Sequence, residues 1–344
     1  MKALRKLRRG PGHVDLVNVD PPRPGEGEVI VAVQYAGICG TDIHILHDLY
    51  SKARPPVTLG HEFCGTISEL GPNVQGWNVG DRVTVESAAE FCGVCEFCRS
   101  GQTQRCEERQ GFGSGKDGAF ASFTATRQDG LYRLPDHVSF QEGALCEPLA
   151  VAVHAVMERS SLEPGKSVLI TGPGPIGLLV LQVAKAVGAR VIISGIQGDA
   201  ERLKLAERIG ADHFIQMEGQ DPQYLIHELT GGMGVDVAFE CSGAPGALKD
   251  CLQGVRKGGE MVQVGLFGRP LELDYDVITF KEVQIKGSFT HNRGTWQKAI
   301  DLLRDRKVDL TSLVSREFPL DQWEEAFGLF EKGVGLKYLL YPVD

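Results

Sequence analysis

Hydrophobic positions follow two rhythms along this chain. In the first 150 or so residues they alternate with polar ones, as at Val29, Val31, Val33 and Tyr35, and short apolar runs recur at Gly80–Val85 and Ala119–Ala125. A period of two places alternate side chains on one face of a strand. Proline and glycine punctuate these runs closely, at Pro21–Gly25 and Gly71-Pro72, so the segment reads as an antiparallel β domain with long loops. From about Glu163 the rhythm changes. The apolar run Val168–Ile170 meets a glycine-rich turn, a helix is predicted over Ile176–Val187, and Val191–Ile193 forms the next strand. A second helix is expected from Asp199, a suitable N-cap, to a stop at Gly210. Strands at Val235–Phe239 and Glu260–Val264 flank a predicted helix over Ala247–Val255. Alternation of this kind predicts an α/β fold with a doubly wound parallel sheet. The tail predicts helices near Trp296–Leu303 and Trp323–Phe330, the second capped by Asp321 with Glu324 in an acidic capping box.

Composition narrows the class. A length of 344 residues suits two domains, and 43 glycines, well above the roughly 7% average, suit a nucleotide-binding α/β chain. The net charge of −9 disfavours a nucleic-acid partner, which needs concentrated Lys and Arg. The basic opening Lys2–Arg9 lacks the apolar stretch of a signal peptide, and there is no apolar run of membrane-spanning length. The expected setting is the cytoplasm, with no membrane partner. In such a reducing compartment, clustered cysteines read as metal ligands rather than disulfides.

Four of the nine cysteines form C-x2-C-x2-C-x7-C at Cys92, Cys95, Cys98 and Cys106. Four thiolates suit a tetrahedral Zn²⁺ with every position filled, hence a structural ion. An iron–sulfur cluster competes, and unrelated reduced thiols are the bland alternative. Upstream, Gly37–His44 carries Cys39 and Gly60–Gly65 carries His61 and Glu62, while Glu147 lies downstream in Leu145–Leu149. One thiolate, one imidazole and a carboxylate would make an open, Lewis-acidic zinc site.

The turn after Val168–Ile170 is G-x-G-x-x-G at Gly172, Gly174 and Gly177, with Pro175 and Ile176 opening the helix. Glycine there permits a tight turn and close approach of a pyrophosphate to the helix N-terminus. An acidic residue is expected at the end of the second strand to bind the ribose of NAD, but Gly195 stands there. Its absence makes room for a 2′-phosphate, with Ser194, Gln197 and Arg202 as candidate partners. Asp199, which could instead fold back to the ribose, weighs against this. The balance leans to NADP over NAD.

Taken together, Gly37-x-Cys39-Gly40-Thr41-Asp42-x-His44, Gly60-His61-Glu62, the four-cysteine lobe, Glu147-Pro148 and the glycine-rich turn resemble the zinc-containing medium-chain dehydrogenase/reductase superfamily. They occur in the expected order over nearly the whole chain. Gly-His-Glu and Glu-Pro-Leu are most similar to its polyol branch, which includes sorbitol, butanediol and threonine dehydrogenases. The resemblance implies a GroES-like catalytic domain at 1–152 and 289–344, a zinc lobe near 90–108 and a Rossmann domain at 153–288. It implies two zinc ions, one structural and one catalytic, the latter on Cys39 and His61 with Glu62. Glu147 would bind it directly or hold its water, and the two carboxylates would exchange. Thr41 would accept the substrate proton and His44 would pass it to solvent. Cys64 and Cys146 are read as packing. Cys241 and Ser242, with Val264 and Gly265, resemble coenzyme-lining strand ends or are simply strand-terminating turns.

The implied activity is zinc-dependent hydride transfer from a secondary alcohol (polyol, vicinal diol or hydroxy-amino acid) to NAD(P)⁺. Alternatives are a non-catalytic nucleotide-binding sensor or structural protein, and a zinc-independent quinone or enoyl reductase. Tyr50 and Phe112 are candidate pocket residues. The arginine-tyrosine pair of sorbitol dehydrogenase is replaced by Thr290-His291, which departs from a sugar-alcohol pocket. Relatives are dimers or tetramers, and Val283–Lys286 is a candidate edge strand for pairing.

Overall fold

A computed structural model describes residues 1–217 and 221–343, which form two compact units. The first comprises Met1–Glu147, Asn292–Arg304 and Leu310–Asp344, and the second Pro148–His291 with Asp305–Asp309.

The first unit is built on a seven-stranded sheet. Its long central strand β1 (Glu28–Gly37) pairs antiparallel with β2 (Glu62–Leu70), which pairs with β3 (Arg82–Val85). Strand β4 (Phe123–Arg127) also joins β1, and β5 (Leu131–Arg133) closes against β3. The C-terminal strand Lys337–Tyr341 pairs with the end of β1. The alternation read from the sequence has its cause here: Val29, Val31 and Val33 are buried, in one core with Phe63, Ile67, Phe120, Phe318 and Phe327. Between β1 and β2 lies a short helix, α1 (Gly40–Leu46). The unit's N-terminal segment ends within helix α2 (Cys146–Val153).

The second unit is a six-stranded sheet, every pair parallel. It contains β6 (Ser167–Thr171), α3 (Pro175–Val187), β7 (Arg190–Gly195), α4 (Ala200–Arg208), β8 (His213–Gln216), β9 (Val235–Glu240), α5 (Pro245–Gly254), β10 (Val255–Gln263) and β11 (Gln284–Gly287). Their order is β8-β7-β6-β9-β10-β11, the doubly wound arrangement in which ligands bind where the order reverses, outside β6 and β9. The expected α/β class is borne out.

Three local expectations are corrected. Val255 starts β10 rather than ending the preceding helix, because this β-branched residue pairs with Val235. Asp321 does not cap the Trp323–Glu331 helix. It lies within a tight Leu320–Gln322 turn, so Gln322 takes the N-cap position. Asp199 stands at the N-cap of α4, but its side chain makes no cap bond there and turns back to the amide of Ile196.

Candidate metal centre and coenzyme turn

The metal-site residues of the first unit come from the two ends of the β1–β2 connection. Cys39 is the extended residue before α1, and the carboxylate of Asp42 reaches back to accept from its amide at 2.9 Å. The same carboxylate accepts from the amide of Gly60 at 3.3 Å and lies 3.8 Å from Nδ1 of His61. Asp42 is fully buried and ties the two ligand-bearing segments together. Glu62 opens β2 opposite Gly37 of β1, where any Cβ would overlap the Glu62 carboxylate. Gly37 is therefore needed for close approach.

Donor atoms of Cys39, His61 and Glu62 all lie within 4.8 Å of one another. One thiolate, one imidazole and one carboxylate, on half-buried Cys39 and His61 and buried Glu62, fit Zn²⁺ and leave a fourth position for a substrate oxygen. Glu147 stands on α2, and its Oε1 accepts from the Ser87 hydroxyl at 2.9 Å. Burial opposes the His61 imidazolium, but Cys39, Asp42 and Glu147 outweigh it and raise its pKa well above the ordinary value. A pocket of that sign attracts a cation. Thr41 Oγ1 lies 3.9 Å from the Cys39 sulfur, and His44 is exposed on α1.

Two neighbours of the site were not singled out from the sequence. Asp42 was legible only as a member of the Gly37–His44 motif, with no role assigned. Lys337 comes from the far C-terminal strand, and its ammonium donates to Glu62 Oε1 at 2.6 Å and to the Ile38 carbonyl at 3.1 Å. Burial works against that ammonium, yet Glu62 and Cys39 hold its pKa above the usual lysine value.

In the cysteine lobe, the Cys92 sulfur lies 3.9 Å from that of Cys98 and 3.6 Å from that of Cys106. Sulfurs bound tetrahedrally to zinc at about 2.3 Å would be about 3.8 Å apart, so the four fit one ion. Amide donors of Val94 and Cys95 bring the Cys92 thiol down to about 7. Cys64 and Cys146 are fully buried away from both donor groups, Cys146 with its pKa pushed up to about 12 by burial. Tyr50 packs half-buried against the core, while Phe112 is a core residue stacked edge-on against Phe63 at 5.4 Å.

In the second unit, β6 ends at the glycine-rich turn. Gly172 has φ of 91°, and a side chain there would come within 2.7 Å of Ser242 Cβ. Gly174 is the N-cap of α3, and a Cβ on it would meet nothing within 4 Å. Pro175 and Ile176 begin that helix, and Gly177 packs against the Gly172 carbonyl. The open space beside the first amides of a 13-residue helix suits a pyrophosphate. At the end of β7, Ser194 is buried inside the sheet, Gln197 is exposed, and Arg202 Nη1 pairs with Asp199 Oδ1 at 3.1 Å. Glu240 at the end of β9 is an unforeseen organiser. Its carboxylate accepts from the Ser242 amide at 2.8 Å and from Gln263 Nε2 at 2.6 Å, and its carbonyl accepts from Val264 and Gly265 at 2.9 Å. Cys241 bonds through its amide to Thr171. Thr290 holds φ of 47° and His291 is buried.

A β-rich unit with a Cys-His-Glu pocket and a four-cysteine lobe, together with a doubly wound coenzyme unit, defines a zinc alcohol dehydrogenase architecture. Residues 25–136 match the alcohol dehydrogenase GroES-like domain and residues 175–305 match the zinc-binding dehydrogenase family. Over the full length of both chains, 43% of residues are identical to a sorbitol dehydrogenase of Halalkalibacterium halodurans. A D-arabitol-phosphate dehydrogenase of Enterococcus avium is 38% identical, over 99% of this chain and 97% of its own. A Sinorhizobium meliloti 1021 protein solved with NADP bound superposes with a TM-score of 0.89 at 32% identity, covering 99% of each chain. The chain belongs to the zinc-binding dehydrogenase family and is an oxidoreductase. Among the described residues, no helix is long and apolar enough to cross a membrane.

Proposed function

We propose that the protein oxidises a secondary alcohol (a polyol, vicinal diol or hydroxy-amino acid) to the ketone, with NAD(P)⁺ as hydride acceptor. The convergence of Cys39, His61 and Glu62 within 4.8 Å carries this reading. Those three residues hold a catalytic zinc, Glu147 is its alternative or water-holding carboxylate, and Cys92, Cys95, Cys98 and Cys106 hold a structural zinc. The zinc, when bound, supplies Lewis acidity that lowers the alcohol pKa, and the nicotinamide accepts the hydride. Thr41, beside the Cys39 thiolate, accepts the proton and His44, exposed on α1, releases it to solvent. Asp42 orients His61, and Lys337 holds Glu62 within the pocket. The named relatives act on sorbitol and arabitol phosphate, which supports a polyol-like substrate.

In the coenzyme unit, the amides after Gly174 bind the pyrophosphate, while Cys241, Ser242, Val264 and Gly265 line the strand ends. NADP is the favoured coenzyme. Gly195 itself carries no carboxylate, Arg202 pairs with the Asp199 carboxylate that folds back to the end of β7, and the Sinorhizobium meliloti protein carries NADP. We assign 1–152 and 289–344 to the catalytic domain and 153–288 to the coenzyme domain, within five residues of the boundaries between the two units apart from Asp305–Asp309. The protein works in the cytoplasm as a homo-oligomer, a dimer or tetramer, through edge strand β11, where Ile285 and nearby Phe280 are exposed. Reduction of NAD⁺ and NADP⁺ by a panel of polyols, diols and threonine, with zinc-loaded and metal-stripped protein, tests the reading. Zinc-dependent turnover supports it. Absence of turnover with fully loaded protein across the panel counts against it.

A further inference from the structure

Arg109 follows the last cysteine of the lobe by three residues and returns the chain toward the metal pocket. Its Nη2 reaches the Ser87 hydroxyl at 3.4 Å, and that hydroxyl donates to Glu147 Oε1 at 2.9 Å. The guanidinium is therefore one hydroxyl away from a carboxylate of the candidate catalytic centre. Its Nε is sealed from solvent and has no hydrogen-bond acceptor. No carboxylate among the described residues lies in ion-pair contact with it. Arg5 and Arg127 also leave one buried nitrogen without an acceptor, but each has a carboxylate partner, Asp117 and Asp129.

Leaving a sheltered guanidinium without a counter-ion is costly, so such a group is retained where an anion arrives to complete it. A guanidinium offers five donors in a planar fork that matches the oxygens of a phosphate or carboxylate. Tyr50 and the carboxylates of Glu147 and Glu86 are the acidic groups that face it electrostatically. They compensate its charge in part without bonding to it. A neutral polyol would bring hydroxyls to this donor fork and no charge.

We infer that Arg109 recognises an oxyanion on the substrate, so that the preferred alcohol is a phosphate ester or a carboxylate. This rests on the reading of Cys39, His61 and Glu62 as the catalytic metal centre. The reaction is otherwise unchanged: the alcohol carbon gives its hydride to the nicotinamide, the hydroxyl gives its proton to the protein, and the anion only positions the substrate.

Matched pairs of alcohols, compared with the zinc-loaded enzyme, test this: arabitol against arabitol 5-phosphate, and 2-butanol against 3-hydroxybutyrate. An anionic member should be preferred in kcat/KM by about tenfold or more, the value of a charge-assisted hydrogen bond. Whichever pair shows the preference identifies phosphate or carboxylate as the source. Arg109→Gln should erase the preference, chiefly through KM, and Arg109→Lys should restore part of it. Equal use of charged and neutral members would overturn the inference while leaving the dehydrogenase reading intact. So would an Arg109→Gln enzyme that loses kcat equally on all substrates, since Arg109 would then only brace Ser87 and Glu147. Calorimetric titration of the same anions into zinc- and coenzyme-loaded protein supplies an independent readout. Binding that Arg109→Gln abolishes, with no turnover, would sustain the anion site and sink the proposed reaction. Absence of both binding and turnover would reject both.

Discussion

Oε1 of Glu62 lies 2.6 Å from the ammonium of Lys337, and the two side chains are 1% and 4% exposed. They are 275 positions apart in the chain, joined because the C-terminal strand pairs with the end of β1 directly beside Gly37. Removing one member of such a pair leaves an uncompensated buried charge. Lys337→Met should therefore lower stability by about 3–5 kcal/mol, readable as a shift in the denaturation midpoint. The double variant Glu62→Gln/Lys337→Met should recover much of that loss. A double variant as unstable as the sum of the singles would mean the ammonium acts through packing and the Ile38 carbonyl instead.

The two donor clusters should lose metal independently. Cys98→Ser removes one of four thiolates from the lobe, while Cys39→Ser removes a ligand from the pocket. Each variant should retain one zinc per chain by elemental analysis, against the two expected in the parent. Cys98→Ser should lose chiefly thermal stability, because structural zinc contributes directly to folding. Cys39→Ser should lose turnover with little change in melting temperature. Iron in place of zinc, or loss of both ions in either variant, would contradict independent zinc sites.

Much of this organisation was legible in the sequence because it depends on local spacing. Val29, Val31 and Val33 announced their strand by alternation, and Gly172, Gly174 and Gly177 announced their turn by following an apolar strand. Cys92, Cys95, Cys98 and Cys106 are close in the chain, so their convergence required little of the tertiary fold. What stayed hidden depends on distant pairing. Lys337 reaches Glu62 only through strand order. Glu240 looked like part of a strand end, yet it gathers amides from its own loop and Gln263 from the neighbouring strand.

Arg202 offers a test of coenzyme choice. Its guanidinium is paired with Asp199, whose carboxylate folds back to the Ile196 amide at the turn after β7. If it binds a 2′-phosphate, Arg202→Ala should weaken NADPH by about tenfold or more, the worth of a charged hydrogen bond, with much less effect on NADH. Fluorescence titration of both reduced coenzymes reads this directly. Equal weakening of both would assign Arg202 to holding the loop through Asp199.

The Asp236 carboxylate should set part of the acid limit of the coenzyme unit. Oδ2 accepts from the amide and hydroxyl of Ser167, each at 2.9 Å, and Oδ1 accepts from Arg256 Nε at 2.9 Å. These contacts join the start of β6 to the start of β9. Burial raises the carboxyl pKa, but the Ser167 and Arg256 donors outweigh it and leave it below the ordinary value. A depressed folded pKa means that the unfolded chain takes up protons first as pH falls. The stabilisation is therefore complete above the unfolded value of about 3.9 and is lost as pH falls through the folded one. Asp236→Asn should cost about 1–2 kcal/mol near neutral pH. Urea midpoints of parent and variant should keep that gap between about pH 7 and pH 5 and converge below about pH 4. A gap that persists unchanged to about pH 3 would show that the side chain contributes through shape rather than charge.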